Sequence, residues 1–257
     1  MTSPTTAMVL AAGLGTRLRP LTDDRPKALV EVGGRALIDH MLDRLVEAGV
    51  QKAVVNVHAF ADQLEAHLAW RRDLEIIISD ERDGLLETGG GLKKARPLLG
   101  ESPILVANID SVWTEAGAPA LLALIGAWDG AAMDALLLLA AVERCLGFDG
   151  PGDFFRGDDG RLTHRGEAPI APLAYMGVQI IEPAIIDTWP EHPHSLFRHW
   201  LALQAAGRLH GLVMSGRWMH VGDPAARDAA ERALAGDSAN LPPLEDAAAR
   251  TLHQRGG

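Results

Sequence analysis

The chain has 257 residues, a formal net charge of -10 at pH 7, 47% hydrophobic residues and a single cysteine. That length fits one large α/β domain or two small ones, with apolar residues enough for a packed core. The acidic balance speaks against a general nucleic-acid or anionic-membrane binder, and one cysteine, Cys145, excludes an intrachain disulfide.

The opening residues lack the charged region and long apolar core of a signal peptide, and the longest apolar run, Ala135 to Val142, is too short to span a bilayer. A cytoplasmic protein is expected. Met8 to Ala12 reads as a short buried strand that runs into a loop at Gly13. Arg35 to Val50 carries Leu37, Met41 and Leu45 at helical spacing and stops at Gly49. Strands are then predicted at Lys52 to His58, Leu74 to Glu81, Ser102 to Asp110 and Asp134 to Glu143. Helices alternate with them at Asp62 to Trp70, Gly89 to Leu99 and Ala118 to Trp128. This alternation implies an α/β fold with a doubly wound, mostly parallel, Rossmann-like sheet. After Val142 the texture turns to Gly, Asp and Pro with short strands between, and reads as an insertion of hairpins over one end of the sheet. A last strand at Gly216 to Gly222 precedes a helix with Asp223 as N-cap and Pro224 at its first position. One more amphipathic helix is expected between Asp237 and Gly257. The expected division is a single domain: a core at about 7–142, an insertion at about 143–217, and a C-terminal strand with helices at about 218–257.

Residues 10–22 read Leu-Ala-Ala-Gly-Leu-Gly-Thr-Arg-Leu-Arg-Pro-Leu-Thr, and Pro26-Lys27 follow. Two close glycines after an apolar run, followed by cations in an acidic chain, suit an anion. The dinucleotide fingerprint needs a third glycine where Leu18 stands, and the P-loop needs a G-K-[ST] that is absent. The ordered run resembles the signature of the sugar-1-phosphate nucleotidylyltransferases, L-A-A-G-x-G-[ST]-R-[LM]-x-P-L-T followed by P-K. Physical chemistry fits that resemblance. Gly13 and Gly15 let backbone N–H groups come close to triphosphate oxygens, Thr16 beside them is a further nucleotide-binding candidate, and Ala11 and Ala12 leave room for a flat base and ribose. Arg17 offers a planar fork to phosphate, and Lys27 a point charge that can follow the transferring group. The competing reading is a surface loop with solvated cations beside Asp23 and Asp24; it is preferred for Arg19 and Arg25.

Further motifs carry the resemblance along the chain. Glu87, Thr88, Gly89 and Gly90 match a family segment such as L-G-T-A-G, whose backbone reads the nucleobase edge. A glycine-led helix cap is the compatible alternative. Asp110, at the end of a predicted strand, matches the family's metal-binding aspartate, a hard oxygen ligand suited to Mg²⁺. A second metal aspartate, in W-x-D-V-G-T, is replaced here by His220, with Asp223 at the threonine's place. Histidine suits Mn²⁺ or Zn²⁺ better than Mg²⁺. Three arrangements stay open: direct ligation by His220, action through water, or a metal left to Asp110 and phosphates. Mg²⁺ is the expected ion, with Mn²⁺ the alternative.

What the resemblance implies is attack of a sugar-1-phosphate oxygen on the α-phosphorus of a nucleoside triphosphate, with release of pyrophosphate. The phosphate monoester is already an anion, its second pKa being about 6, so no side-chain base is required. Glu87 to Gly91, Val112 to Thr114, Gly152 to Phe154, Met176 to Pro183 and Trp218 to Asp223 resemble best the branch that uridylylates N-acetylmuramate 1-phosphate, a cell-wall sugar. Asn108, Asp153, Glu167 and Gly177 are the candidate sugar-side residues, and Arg156, Arg165 and Arg198 the cations available to a lactyl carboxylate. Mannose-1-phosphate guanylyltransferase and phosphocholine cytidylyltransferase are alternatives within the class. A nucleotide-sugar sensor without turnover is the alternative outside it, favoured by His220 alone. The expected partners are small molecules only, with no nucleic acid and no membrane, on a monomer or weak homo-oligomer.

Overall fold

A computed structural model of the chain describes residues 3–236. The amphipathic helix expected between Asp237 and Gly257 lies outside them. The first half alternates as its hydrophobic pattern predicts. In order come β1 (Thr6–Leu10), β2 (Glu31–Val32), β3 (Arg35–Ala36), α1 (Leu37–Glu47), β4 (Lys52–Val57), α2 (Ala61–Leu68), β5 (Glu75–Asp80), α3 (Glu87–Leu99) and β6 (Ile104–Asn108). Next come β7 (Ser111–Glu115), α4 (Ala120–Ala127), β8 (Ala135–Ala141), β9 (Cys145–Leu146), β10 (Phe154–Arg156) and β11 (Leu162–His164). The described chain ends with β12 (Leu173–Ile181), α5 (Phe197–Ala205), β13 (Leu209–Val213), β14 (Gly216–His220) and α6 (Pro224–Leu234).

The main sheet runs β13-β8-β12-β6-β1-β4-β5, and the β10–β11 hairpin joins the N-terminal end of β12. β6, β1, β4 and β5 are parallel to one another, as are β8 and β13. β12 runs against both its neighbours. Successive side chains of β1 alternate between two cores: Ala7 and Val9 pack with α1, α2 and α4, while Met8 packs with α3 and α5. The sheet is therefore covered on both faces, and its strands are mostly apolar.

Three features depart from the sequence-based expectation. The stretch at 143–217 is more than a set of hairpins over one end of the sheet. Its nine-residue β12 lies in the middle, between β6 and β8. The Gly, Asp and Pro around it hide a run at Leu173–Ile181 that is apolar but for Gly177 and Gln179. The last strand, β14, stays outside the main sheet and pairs with β7 and β9 in a separate three-stranded sheet. β7, α5 and β13 are additions that the hydrophobic pattern does not announce. The helix after β14 does form as expected: the Asp223 Oδ1 accepts from the Ala226 N–H at 2.9 Å, and Pro224 takes the first position.

The order of the strands places the site. β1, β4 and β5 run outward in one direction, and the chain then returns to set β6 on the other side of β1. A crevice opens at such a reversal, at the carboxyl ends of the parallel strands.

Candidate active site

The crevice holds a cleft of about 300 Å³. Its first wall is the loop after β1. Ala11, Ala12, Gly13, Gly15, Thr16 and Arg17 all line it. Gly15 carries a left-handed backbone (φ 64°) at the start of the short 3-10 turn Thr16–Leu18. A Cβ there would sit 3.0 Å from Lys27 Cβ and 3.0 Å from Thr22 Cγ2, so the loop closes directly onto Lys27. The Thr22 hydroxyl donates to the Gly15 carbonyl at 2.8 Å and holds that turn. Arg17 is exposed at the cleft. Arg19 and Arg25 are exposed rim residues paired with Asp23 (3.4 Å) and Asp24 (2.9 Å), the surface reading preferred for them.

Two residues the motifs did not reveal support this wall. Asn56, near the end of β4, accepts through Oδ1 from the N–H groups of Ala11 (2.6 Å) and Ala12 (3.1 Å). Its Nδ2 donates to Glu81 Oε1 at 2.8 Å. Both line the cleft, together with Leu10, Leu85, Ile109 and Gly222. The signal was a polar side chain within the buried, otherwise apolar stretch 53–57 of that strand, which needs a partner there.

The second wall is Leu85, Glu87 and Thr88. Glu87 holds a left-handed backbone (φ 59°), unusual for a residue with a Cβ. The glycines behind it do not offer free donors. The N–H groups of Gly89 and Gly90 donate to the His194 carbonyl at 2.9 and 3.3 Å, and the Gly89 α-carbon faces the His194 ring. Gly89 therefore stands away from the cleft, and the expectation that its amide meets a base edge is corrected. The segment around His194 braces this loop: Leu196 N–H donates to Thr88 Oγ1 at 2.9 Å, and His194 N–H to the Leu86 carbonyl at 3.2 Å.

The floor is charged. Lys27 Nζ lies 2.8 Å from Asp110 Oδ2, and His220 Nε2 lies 3.5 Å from the same oxygen. Burial pushes the Asp110 carboxyl up. The His220 hydrogen bond and the Lys27 charge outweigh it, holding Asp110 well below the usual carboxylate range. The His220 Nδ1 faces the Gly147 carbonyl at 3.3 Å. When a cation replaces the proton that Nε2 directs at Asp110, a proton held at Nδ1 leaves the Nε2 lone pair for that cation.

Residues 6–143 match the nucleotidyl transferase family. An N-acetylmuramate alpha-1-phosphate uridylyltransferase of Caulobacter vibrioides is 56% identical over 237 residues, covering 91% of this chain and 98% of that protein. The chain belongs to the nucleotidyl transferase family. A mannose-1-phosphate guanylyltransferase catalytic subunit beta of Dictyostelium discoideum is more distant, 30% identical over 85% of this chain and 61% of its own length. Among solved structures, a UDP-glucose pyrophosphorylase complexed with UDP-glucose matches the fold with a TM-score of 0.74 at 18% identity, covering 91% of this chain and 99% of that one.

Nucleotidyl transferases of this family generally use a divalent metal ion. In this nucleotidyl transferase no three His, Cys, Asp or Glu side chains converge as a metal site among the described residues. The donor pair Asp110 and His220 still fits an ion that takes few protein ligands and completes its shell with substrate phosphates. Asp223 is occupied as a helix cap and is no third ligand.

The sugar-side expectations fare unevenly. Asn108 lines the cleft, and Gly177 lies behind it: a Cβ on Gly177 would sit 3.0 Å from Asn108 Cβ. Gly177 thus seats Asn108 rather than facing the cleft. Asp153 is set apart from the cleft, its Oδ2 accepting from the Tyr175 N–H at 2.8 Å, which ties β10 to β12. Glu167 is exposed in a turn. Arg156 and Arg165 are turned to backbone carbonyls, of Gly211 for the former and of Gly152 and Ala168 for the latter. Arg198 is exposed on α5. No helix among the described residues is long and apolar enough to cross a membrane.

Proposed function

We propose that this nucleotidyl transferase joins UTP and N-acetylmuramate 1-phosphate to give UDP-N-acetylmuramate and pyrophosphate. What supports the reading is the convergence of the Gly13–Thr16 loop, Arg17, Lys27 and Asp110 on one cleft in a chain 56% identical to a uridylyltransferase for that sugar phosphate. A sugar-phosphate oxygen forms a bond to the α-phosphorus while the bond to the bridging oxygen breaks, and pyrophosphate leaves with its electron pair. Both reactants are anions, so the chain must align them and carry their charge. Backbone N–H groups at Gly13, Gly15 and Thr16 face the triphosphate, and Arg17 takes the departing phosphates. Lys27 balances the charge at the α-phosphorus. Thr88, Glu87 and Leu85 line the base side, with Ala11 and Ala12 against the nucleoside. Asn108 faces the sugar. A divalent ion, Mg²⁺ by preference, would be held by Asp110 and His220 and would neutralise phosphate charge.

The test is pyrophosphate release from UTP, GTP, dTTP and CTP against N-acetylmuramate 1-phosphate, N-acetylglucosamine 1-phosphate, glucose 1-phosphate, mannose 1-phosphate and phosphocholine. The expected result is a preference for UTP with N-acetylmuramate 1-phosphate. A preference for GTP with mannose 1-phosphate would replace the substrate assignment, and silence throughout would favour a sensor. The same assay addresses the metal corner. His220→Asp sets a second carboxylate beside Asp110, and Mg²⁺-supported turnover is expected to persist or rise relative to Mn²⁺. Loss of turnover with every divalent ion would show that the imidazole does something other than ligate.

A further inference from the structure

The two walls of the cleft come from loops that follow β1 and β5, strands separated by β4. Asn56 sits near the end of β4, between them. It is 3% exposed and Glu81 is 1% exposed, so neither is a surface group that happens to face inward. On one side the Asn56 Oδ1 accepts from Ala11 N–H at 2.6 Å and Ala12 N–H at 3.1 Å. On the other its Nδ2 donates to Glu81 Oε1 at 2.8 Å. The remaining Glu81 oxygen, Oε2, accepts from the Leu86 N–H at 3.3 Å, one residue before Glu87. A continuous run of hydrogen bonds thus leads from the first loop to the second, across the strand between them.

The chemistry of each link is directional. Ala11 and Ala12 supply donors, so they require an oxygen. Leu86 also supplies a donor, so the far end requires an oxygen too. An amide beside an ionised carboxylate meets both demands; two amides do not, and two carboxyl groups do so only by holding a proton between them. The space is closed as well: a Cβ on Gly91 would lie 2.8 Å from Glu81 Oε1 and 3.0 Å from Asn56 Nδ2. Burial pushes the Glu81 carboxyl up, while the Asn56 and Leu86 donors favour its ionised form.

We propose that Asn56 and Glu81 are positioning residues that clamp the loop after β1 to the loop after β5 and so fix the width of the nucleotide cleft. The inference rests on reading that cleft as the nucleotide site. It goes further, because it makes the grip of one wall depend on the other. Ala11 and Ala12 direct their amides into the clamp, which leaves the amides of Gly13, Gly15 and Thr16 for the triphosphate.

Directionality provides a test by rescue. Asn56→Asp sets a carboxylate against the Glu81 carboxylate. Glu81→Gln leaves an NH₂ facing another donor, at either Asn56 or Leu86. The double variant N56D/E81Q restores every link with one bond reversed. The carboxylate introduced at position 56 accepts from the two alanine amides through one oxygen. Its other oxygen accepts from the NH₂ introduced at position 81, whose carbonyl oxygen accepts from the Leu86 N–H. The three variants and wild type are compared by hydrogen–deuterium exchange over residues 10–16 and 82–88 without ligand, and by steady-state kinetics with UTP and N-acetylmuramate 1-phosphate. Each single variant is expected to exchange faster in both loops and to raise KM for UTP by roughly tenfold, with kcat changed less than about threefold. The double variant is expected to recover protection in both loops and to return KM to within about threefold of wild type. A single variant that fails to fold where the double folds and is protected also supports the clamp. A double variant no better than the poorer single, or single variants that exchange and bind like wild type, would overturn it. Failure of wild type to turn over UTP would retire the substrate assignment, and the exchange comparison alone would still decide the clamp.

Discussion

Lys27→Ala is expected to lower kcat by roughly 10³-fold while leaving the fold intact. The lysine side chain is 11% exposed, and its ammonium lies 2.8 Å from a carboxylate that is itself only 20% exposed. A cation so placed has lost much of its water, so its charge acts strongly over short distances. In the proposed reaction the α-phosphoryl group passes between two anions, and Lys27 is the point charge best placed to follow it. Alanine removes that charge and leaves nothing able to move with the reacting atoms. The fold should survive because Asp110 opens onto the cleft, where water can enter and His220 still faces it at 3.5 Å. Asp110→Ala is expected to lower kcat by a comparable factor through loss of the carboxylate proposed to hold the divalent ion. Steady-state pyrophosphate release, with thermal melting as the control for folding, checks both. Near-normal kcat in the two variants would remove Lys27 and Asp110 from the catalytic assignment.

Gly147→Ala is expected to destabilise the protein by about 3 kcal/mol or more. Gly147 follows β9 with a left-handed backbone (φ 69°), a conformation that alanine adopts at a cost of roughly 1–2 kcal/mol. Steric conflict adds to this. A Cβ there would lie 2.4 Å from the His220 carbonyl oxygen and 2.6 Å from Ala226 Cβ, so β14 or the start of α6 must move. Gly49→Ala is the matched control, with a φ of 88° and open space where its Cβ would stand. It should show the conformational cost alone. Urea unfolding of both variants separates the two terms, and equal losses would show that β14 yields freely. The consequence reaches the proposed metal corner, because the Gly147 carbonyl faces the His220 Nδ1. A displaced Gly147 releases the ring, so the apparent affinity for the divalent ion should fall together with stability.

The convergence of the first loop on one cleft was legible because its residues are contiguous. Ala11 to Arg17 form one loop whose residue types state their chemistry in order. Lys27 and Asp110 fall at fixed points of the same pattern. Asn56 and Glu81 were missed because their meaning lies in a pairing across strands. Gly89 was misplaced for a similar reason: the carbonyl that caps it belongs to His194, far along the chain and near it only after folding. The sugar-side candidates rested on isolated residues in a turn-rich stretch. There a polar side chain can as readily join two strands, as Asp153 does, as face a ligand. In the fold, long apolar periodicities marked the first half of the sheet. The β12 strand was obscured because its apolar run is embedded among turn formers, and nothing local marks an antiparallel strand as central.

That position of β12 bears on how the chain can be divided. Among the described residues, this strand alone bridges β6 and β8 in the main sheet. A fragment ending where the family match ends, at residue 143, would carry β6 and β8 with no partner between them. Each would present a bare, apolar edge, the kind of surface that recruits other chains. The two stretches of chain on either side of residue 143 are therefore not separable in folding: the strand that follows the β10–β11 hairpin is also the keystone of the main sheet. Exchange of segments between relatives should then leave β12 in place, since a chain without it loses the join between β6 and β8.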